Sequence, residues 1–249
     1  MSDSQTLSPE IRLMRLAFAG VDDVAEHAPD LADLAAAHGP ALGVIRALGQ
    51  AHDHQAPSSP AAVAAHFDRL AAVAPDLGVA AYSFGDAQLL AGFTEELHGV
   101  LHKFVTPTGD ILDFGCGAGR VAGVLAGAAR SVTGVDVSAA MLDLARARVP
   151  EARFLLVDGG PLPFADASFD VVLAIDSFPF LVQTGTIKPQ LAEIARVMRP
   201  QARLLVCNWT YGDPAEIDAH IAASPLMLLR GPERPFRRWD ATAFLLARR

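Results

Sequence analysis

The stretch that decides the fold is ILDFGCGAGRVAGVLAG, residues 111–127. An apolar run interrupted by Asp113 is followed by glycine at three alternate positions, Gly115, Gly117 and Gly119. One glycine lets the chain make a left-handed turn, and a second lets a ligand approach the backbone where a Cβ would block it. Three glycines therefore predict a strand that ends in a ligand-binding turn and continues into a helix.

The composition is typical of a folded protein that binds neither nucleic acid nor membrane. The chain has 249 residues, of which 51% are hydrophobic, so it can bury a sizeable core. Its net charge is −8, and no cluster of Lys and Arg would follow a phosphate backbone. No apolar run reaches the roughly 18 to 20 residues of a membrane span. We therefore expect neither nucleic acid nor a membrane as a partner.

The cysteines and the N-terminus predict a cytoplasmic location. The two cysteines, Cys116 and Cys207, form no disulfide framework and suit a reducing compartment. The first residues lack the basic-then-apolar pattern of a secretory signal.

Two regions differ in texture. Residues 1–80 are rich in Ala and Leu at helical spacing, which predicts a helical N-terminal region that shapes a pocket, acts as a lid or forms a homodimer interface. Residues 81–249 form the second region, where from residue 109 short runs of Ile, Val and Leu alternate with helical segments. That alternation predicts an α/β fold with βαβ units around a parallel sheet.

The predicted strands of this sheet are 110–114, 131–136, 153–157, 169–175 and 202–208, followed by a last strand in 241–249 and a less certain one at 226–230. The predicted helices are 118–129, 138–148 and 187–198. Ligands of such sheets bind at the carboxyl ends of the strands.

Asp136 ends the second predicted strand, where a carboxylate can accept hydrogen bonds from both hydroxyls of a ribose. The glycines follow the pattern G-x-G-x-G with Asp113 two places ahead, rather than the G-x-G-x-x-G of dinucleotide sites. An acid at this position would repel a pyrophosphate and attract an ammonium group. The pattern favours a nucleoside-bearing cofactor with a cationic end over NAD(P).

Four segments in this order resemble the motifs of class I methyltransferases that use S-adenosylmethionine, in particular the small-molecule branch. They are ILDFGCGAGR, VTGVDVSAAMLDLAR, FLLVDGGPLPFADASFDVVLAID and IARVMRPQARLLV, within residues 109–210. The resemblance implies a Rossmann-like, seven-stranded, mostly parallel sheet with a reversed last strand. One departure is Pro200-Gln201-Ala202, where the family has glycine in the turn before the fifth strand.

The resemblance also implies the contacts of the cofactor S-adenosyl-L-methionine. Asp113 and the glycines would hold its methionine end, Asp136 its ribose, and Asp158 its adenine amino group. Gly159 would let the adenine ring lie close, and Tyr82 would reach the methionine carboxylate. The remaining expected cofactor contacts are Cys116, Arg120, Val137 and Met141.

Residues after the fourth and fifth strands are candidates for the acceptor pocket. Asp176 would stand at the cofactor edge and remove a proton from the acceptor, or would cap a turn. Phe178 and Phe180 would wall the pocket or pack in the core, and Trp209 and Tyr211 offer flat faces with a hydrogen-bonding group.

Other interpretations stay open at this point. His98 and His102 are one helical turn apart, but no third ligand matches them, so we expect no metal site. The fold could bind S-adenosylmethionine without methylating, as a regulator or for a reaction such as a cyclisation. A dehydrogenase of the Rossmann class is the further alternative.

Overall fold

The computed structural model describes residues 8–53, 57–75, 83–210, 215–239 and 241–249. Its centre is a seven-stranded sheet with the order β3-β2-β1-β4-β5-β7-β6. The strand β7 runs antiparallel to both of its neighbours, and the other pairs are parallel. The predicted mostly parallel sheet with a reversed last strand is confirmed. The strands are β1 (Asp110–Phe114), β2 (Ser131–Asp136), β3 (Arg153–Leu156), β4 (Phe169–Ile175), β5 (Met198–Cys207), β6 (Leu226–Glu233) and β7 (Ala243–Arg248).

Helices precede the sheet and connect its strands. The N-terminal helices are α1 (Pro9–Phe18), α2 (Val24–His27), α3 (Ala32–Ala37), α4 (Gly39–Asp53) and α5 (Pro60–Val73). The later helices are α6 (Ala87–Phe104), α7 (Arg120–Leu125), α8 (Ala139–Arg148), α9 (Phe178–Gln183), α10 (Ile187–Val197) and α11 (Ala215–Ala222). Across the described ranges, no helix is both long enough and apolar enough to cross a membrane.

Side-chain caps fix where three of these helices begin. The hydroxyl of Ser8 accepts a hydrogen bond from the backbone of α1, Asp86 does the same for α6, and Ser138 for α8. Each cap satisfies an amide that has no partner within its own helix.

Two elements differ from the sequence prediction. Helix α7 is shorter than the predicted 118–129 because Gly119 still belongs to the turn, with a φ of +77°, and Gly127 is again left-handed. Strand β5 begins at Met198 rather than at residue 202, and its register against β4 shifts between Phe169 and Val171. The sequence Pro200-Gln201-Ala202 thus lies in an irregular part of the strand.

The sheet buries both faces, which explains why its strands read as continuous apolar runs. On one face Ile111 packs with residues of α6, α7 and α8, and on the other Leu112 packs with residues of α9, α10 and α11. A third cluster joins the N-terminal helices to the sheet domain, because Ala118 and Met141 are buried with residues of α1 and α4. The N-terminal helices are therefore packed against the carboxyl ends of strands β1 and β2.

An ionic cluster ties the opposite end of the sheet together. The Arg199 guanidinium donates to the carboxylates of Asp110 at 2.9 Å and of Asp170 at 2.6 Å, and Arg130 also pairs with Asp110. Ser131 donates a further hydrogen bond to Asp110 at 2.7 Å. The hydrogen bonds from Arg130 and Ser131 hold the pKa of Asp110 well below its usual range. This cluster links β1, β2, β4 and the irregular start of β5.

We expect Asp110→Ala to lower the free energy of unfolding by about 1 to 2 kcal/mol at neutral pH, because two guanidinium groups lose a shared partner. A lowered pKa stabilises the fold above the unfolded-state pKa, and this contribution fades as the pH falls through the folded-state pKa. Urea unfolding should therefore show a smaller difference in the free energy of unfolding between wild type and Asp110→Ala at pH 3 than at pH 7.

The matched control is Asp143→Ala, since Asp143 also pairs with one arginine but has a side chain that is 77% exposed. Its effect should stay within about 0.5 kcal/mol. Equal losses in the two variants would contradict a structural role of the cluster.

Candidate active site

A cavity of about 910 Å³ opens at the carboxyl ends of β1, β2, β4 and β5. Its floor includes the glycine turn after β1 and the residues after β2, β4 and β5, and its roof is built by α1, α4 and α5. This volume is at the upper end of the range for sites of small ligands and cofactors. The position is the one that the sheet topology predicts for a ligand.

The glycine turn forms one wall of the cavity. The amides of Gly115 and Cys116 both donate to the carbonyl of Val135, at 2.9 and 3.0 Å, which fastens the turn to β2. A Cβ placed on Gly117, whose φ is +49°, would have no atom within 4 Å, and this residue lines the cavity. Gly117 thus leaves a space against the backbone that a ligand can fill.

Gly119 has a role in helix packing instead. A Cβ there would lie 3.0 Å from the Cβ of Ala145, so the glycine allows α7 to pack closely on α8. Gly119 is not part of the cavity lining.

Asp136 lines the cavity with its carboxylate held by backbone amides. Its Oδ2 accepts from the amide of Gly117 at 2.8 Å, and its Oδ1 accepts from that of Ser138 at 2.9 Å. Burial raises the pKa of Asp136, and these hydrogen bonds oppose the rise. A carboxylate has about four lone-pair sites, so it retains capacity to accept from ligand hydroxyls.

Asp113 lies behind the turn rather than in the cavity. Its side chain is 1% exposed and is not part of the cavity lining. The amide of Ala122 in α7 hydrogen-bonds to its carboxylate, whereas its Oδ2 has no hydrogen-bond partner among the described residues. Burial, with a smaller contribution from the charge of Asp136, raises the pKa of Asp113 to about 7. The expected contact of Asp113 with an ammonium group stays a prediction.

The other expected cofactor residues divide into two groups. Cys116, Arg120, Val137 and Gly159 line the cavity. Met141 is buried against the N-terminal helices, and Asp158 folds back to accept from the amide of Gly160 at 2.9 Å. Neither of them lines the cavity, and Tyr82 is outside the described residues.

Of the expected acceptor residues, Asp176 and Phe180 line the cavity. Phe178 and Trp209 do not, because their rings pack edge to face in the core at a centroid distance of 5.0 Å, and both are almost completely buried. Their place is between the sheet and the helices that cover it. Tyr211 is outside the described residues.

Helix α5 closes the cavity beside Asp136. The carboxylate of Asp68 accepts from the hydroxyl of Ser138 at 2.6 Å and from the amide of Ala140 at 3.1 Å. Pro60 lies over Gly159, where an added Cβ would come within 2.6 Å of the proline ring. The ring of Phe67 meets that of Phe180 edge to face at 5.2 Å.

Sequence reasoning missed these roof residues and also Asn208, Gln183 and Gln190, which line the floor. The amide nitrogen of Gln190 donates to the carbonyls of Gly159 and Gly160 at 2.5 and 3.0 Å, which holds the loop after β3. No motif marks these residues, although the aromatic and apolar spacing in α5 signalled a buried helix face.

Elsewhere, the rings of His98 and His102 contact each other, and the described chain contains no group of three or more metal-ligating side chains.

The raised pKa of Asp113 predicts a pH-dependent stability. A carboxyl that binds its proton more tightly in the folded state stabilises the fold at low pH, and this contribution disappears as the pH rises from about 4 to about 7. Asp113→Asn cannot titrate, so its free energy of unfolding relative to wild type should rise with pH over this window, by up to about 1.4 kcal/mol per pH unit. Urea unfolding of both proteins at several pH values measures this difference in the free energy of unfolding. A difference that does not depend on pH would contradict the raised pKa of Asp113.

Residues 112–206 match the family model of a methyltransferase domain. A demethylmenaquinone methyltransferase of Tropheryma whipplei is 35% identical over 109 residues, which are 43% of this chain and 44% of that protein. An O-methyltransferase of Penicillium expansum is 37% identical over 111 residues, which are 42% of this chain and 39% of that protein. The matched regions thus span less than half of the length of these curated relatives.

Solved structures share the fold. The [4+2]-cyclase SpnF superposes with a TM-score of 0.54 at 20% identity, covering 71% of this chain and 75% of the cyclase. A magnesium protoporphyrin IX methyltransferase of Synechocystis, solved with bound S-adenosylmethionine, gives 0.53 at 17% identity and covers 67% and 83% of the two chains. With the sheet order and the glycine turn beside Asp136, the family match shows that this chain contains a methyltransferase domain, within residues 112–206, that has the fold of the class I S-adenosylmethionine-dependent methyltransferases.

Proposed function

We propose that this protein transfers a methyl group from S-adenosylmethionine to a small-molecule acceptor. The observation that carries the proposal is one continuous cavity, which runs from Gly117 and Asp136 to Asp176 and Phe180. We call the end with Gly117 and Asp136 the polar end, which would take the cofactor, and the end with Phe180 the apolar end, which would take the acceptor. The relatives named as methyltransferases of a menaquinone precursor and of hydroxyl groups support an acceptor that is small and largely apolar.

The residues at the polar end fit the cofactor. Asp136 would accept from the ribose hydroxyls, Gly117 would let the chain of the cofactor pass along the backbone, and Arg120 would meet its carboxylate. Asp113 would add a negative potential from behind the turn, which favours a cationic ligand. When bound, S-adenosylmethionine supplies a methyl group activated by a positive sulfur.

The N-terminal helices would exclude water from the reaction. Methyl transfer depends on holding donor and acceptor in line in a dry site. The roof made by α1, α4 and α5 supports this role, because it places Met14, Ile45 and Phe67 in the cavity lining. We further propose that the protein works in the cytoplasm, because its two buried cysteines are unpaired. We also propose that its partners are small molecules. A homodimer stays a proposal to be tested.

Calorimetric titration tests the proposal, with S-adenosylmethionine and S-adenosylhomocysteine as ligands and NAD as a control. We expect micromolar binding of the first two and none of NAD. A methyl-transfer assay on a panel of acceptors follows. Binding without transfer to any acceptor would favour a non-methylating role, and preferential binding of NAD would overturn the proposal.

We expect Asp136→Ala to weaken the binding of S-adenosylhomocysteine by about 1 to 3 kcal/mol, or roughly 5- to 150-fold, because it removes a charged partner of two hydroxyls. The comparison is Asp158→Ala, which removes an exposed aspartate after the neighbouring strand. Its affinity should stay within about threefold of wild type. Equal losses in the two variants would show that the ribose contact of Asp136 is misassigned or that Asp158 also meets the cofactor.

Gly117→Ala should block the cofactor site, because the added Cβ occupies the space beside the turn. Gly127→Ala is the matched control, since Gly127 also has a positive φ, with open space around it, but lies outside the cavity lining. Both variants carry backbone strain of about 1 kcal/mol. Only Gly117→Ala should lose affinity for S-adenosylhomocysteine in calorimetry; normal affinity would make the turn merely structural.

A further inference from the structure

Asp176 and Asn208 form a polar pair at the apolar end of the cavity. They directly follow Ile175 and Cys207, which are paired across the neighbouring strands β4 and β5. Both residues line the cavity, and the Asn208 side-chain nitrogen donates to Oδ1 of Asp176 at 2.6 Å. The pair therefore lies directly after the carboxyl ends of two neighbouring parallel strands, where these ends meet the cavity.

The backbone of both residues is left-handed. The φ angles are +63° at Asp176 and +66° at Asn208, a conformation that costs a residue other than glycine about 1 kcal/mol or more. Two backbone hydrogen bonds enforce it, because the amide of Asp176 donates to the carbonyl of Cys207 at 2.8 Å and that of Asn208 to Thr242 at 2.9 Å. Because residues at paired positions of neighbouring strands share a face of the sheet, Asp176 and Asn208 stay side by side beyond the strand ends, and both line the cavity.

Apolar and aromatic side chains line the same cavity as the pair. The edge-to-face rings of Phe67 and Phe180 border the same cavity, as does Leu181. Gln183 contributes a buried side-chain oxygen that has no hydrogen-bond partner in the described part of the chain. These surroundings suit a flat apolar molecule with a hydroxyl group, since a buried polar atom without a partner is costly unless the ligand satisfies it.

We propose that the methyl acceptor presents a neutral aromatic or enolic hydroxyl to Asp176, that the Asp176 carboxylate takes the hydroxyl proton, and that Asn208 positions Asp176. This inference rests on the proposed function and deepens it. In the balanced step the acceptor oxygen forms the new C–O bond, and the C–S bond breaks with its electron pair left on sulfur. The proton passes from the hydroxyl to the carboxylate, so no further reactant is needed.

Asn208 suits the positioning task because its amide is neutral. The bond to Oδ1 restricts the rotation of the Asp176 carboxylate without cancelling its charge, as an arginine or lysine would. A carboxylate has acceptor capacity for several hydrogen bonds, so the bond from Asn208 is compatible with one from a substrate hydroxyl. An aspartate at position 208 would instead repel Asp176.

The test uses 4-nitrophenol, whose neutral and ionised forms differ in absorption. It is titrated with acid and base while bound to the full-length protein saturated with S-adenosylhomocysteine. A carboxylate next to the hydroxyl favours the neutral phenol, so we expect the pKa of the bound probe to be about 1 to 3 units higher in wild type than in Asp176→Asn. The other charged or titratable groups of the cavity are unchanged between these proteins: Arg15, His66, Cys116, Arg120, Asp136 and Arg234.

Three variants separate positioning from folding. Asn208→Ala should bind S-adenosylhomocysteine as wild type does but show a reduced shift of the probe pKa. Asp176→Asn combined with Asn208→Asp keeps the hydrogen bond across the strands and moves the carboxylate to β5. The rise in the pKa of the bound probe should then be less than half of the rise in wild type. Ser177→Ala is the control, because Ser177 also lines the cavity but donates to the carbonyl of Phe114 at 2.8 Å, and it should keep the full shift.

The outcomes distinguish this inference from the proposed function. If wild type fails to bind S-adenosylhomocysteine, the proposed function is wrong. If it binds S-adenosylhomocysteine but not 4-nitrophenol, or if the probe pKa is the same in wild type and Asp176→Asn, the hydroxyl acceptor and the role of Asp176 are wrong. Should Asp176→Asn not fold, the double variant gives the same comparison, and a full shift in it would overturn the assignment to Asp176.

Discussion

The hydrogen bond between the Asp136 carboxylate and the Gly117 amide joins the parts on which the site depends. Through it the turn after β1 is held against the end of β2, and the other oxygen of the same carboxylate holds the amide of Ser138 at the start of α8. Ser138 in turn donates to Asp68 of α5. One carboxylate thus connects two strands, the helix that follows them and the roof of the cavity.

This arrangement carries an electrostatic cost that the proposed ligand would reduce. Near the glycine turn Asp113 is buried and Asp136 is partly buried, and desolvation raises the pKa of each. A ligand with a positive sulfur and an ammonium group would favour the charged form of both carboxylates. The glycine turn therefore combines a backbone cradle with two nearby carboxylates, a combination suited to a cationic nucleoside and unsuited to a pyrophosphate.

The apolar end of the cavity follows a different principle. There Asp176 and Asn208 follow the last residues of two neighbouring strands, and both have a left-handed backbone. Aromatic side chains from the N-terminal helices and from α9 line the same cavity. Such an arrangement would orient one reactive group of the proposed acceptor and keep water away from it, as methyl transfer between two small molecules requires.

The sequence by itself determined the strands of the sheet, the glycine turn and the place of Asp136 at the end of β2, because each depends on local periodicity or on a motif within one βα unit. The reversed last strand was implied by the resemblance of the four motifs to a known family. The order of the motifs also led to the cofactor class. The tertiary structure alone decided that Phe178 and Trp209 are core residues, that Asp113 faces α7, and that β5 begins at Met198, where Arg199 meets two aspartates. It also decided which residues of α1 and α5 roof the cavity and that Asn208 pairs with Asp176. These features arise from contacts between residues far apart in the chain, and no local pattern records which of several apolar or polar side chains such contacts will bury.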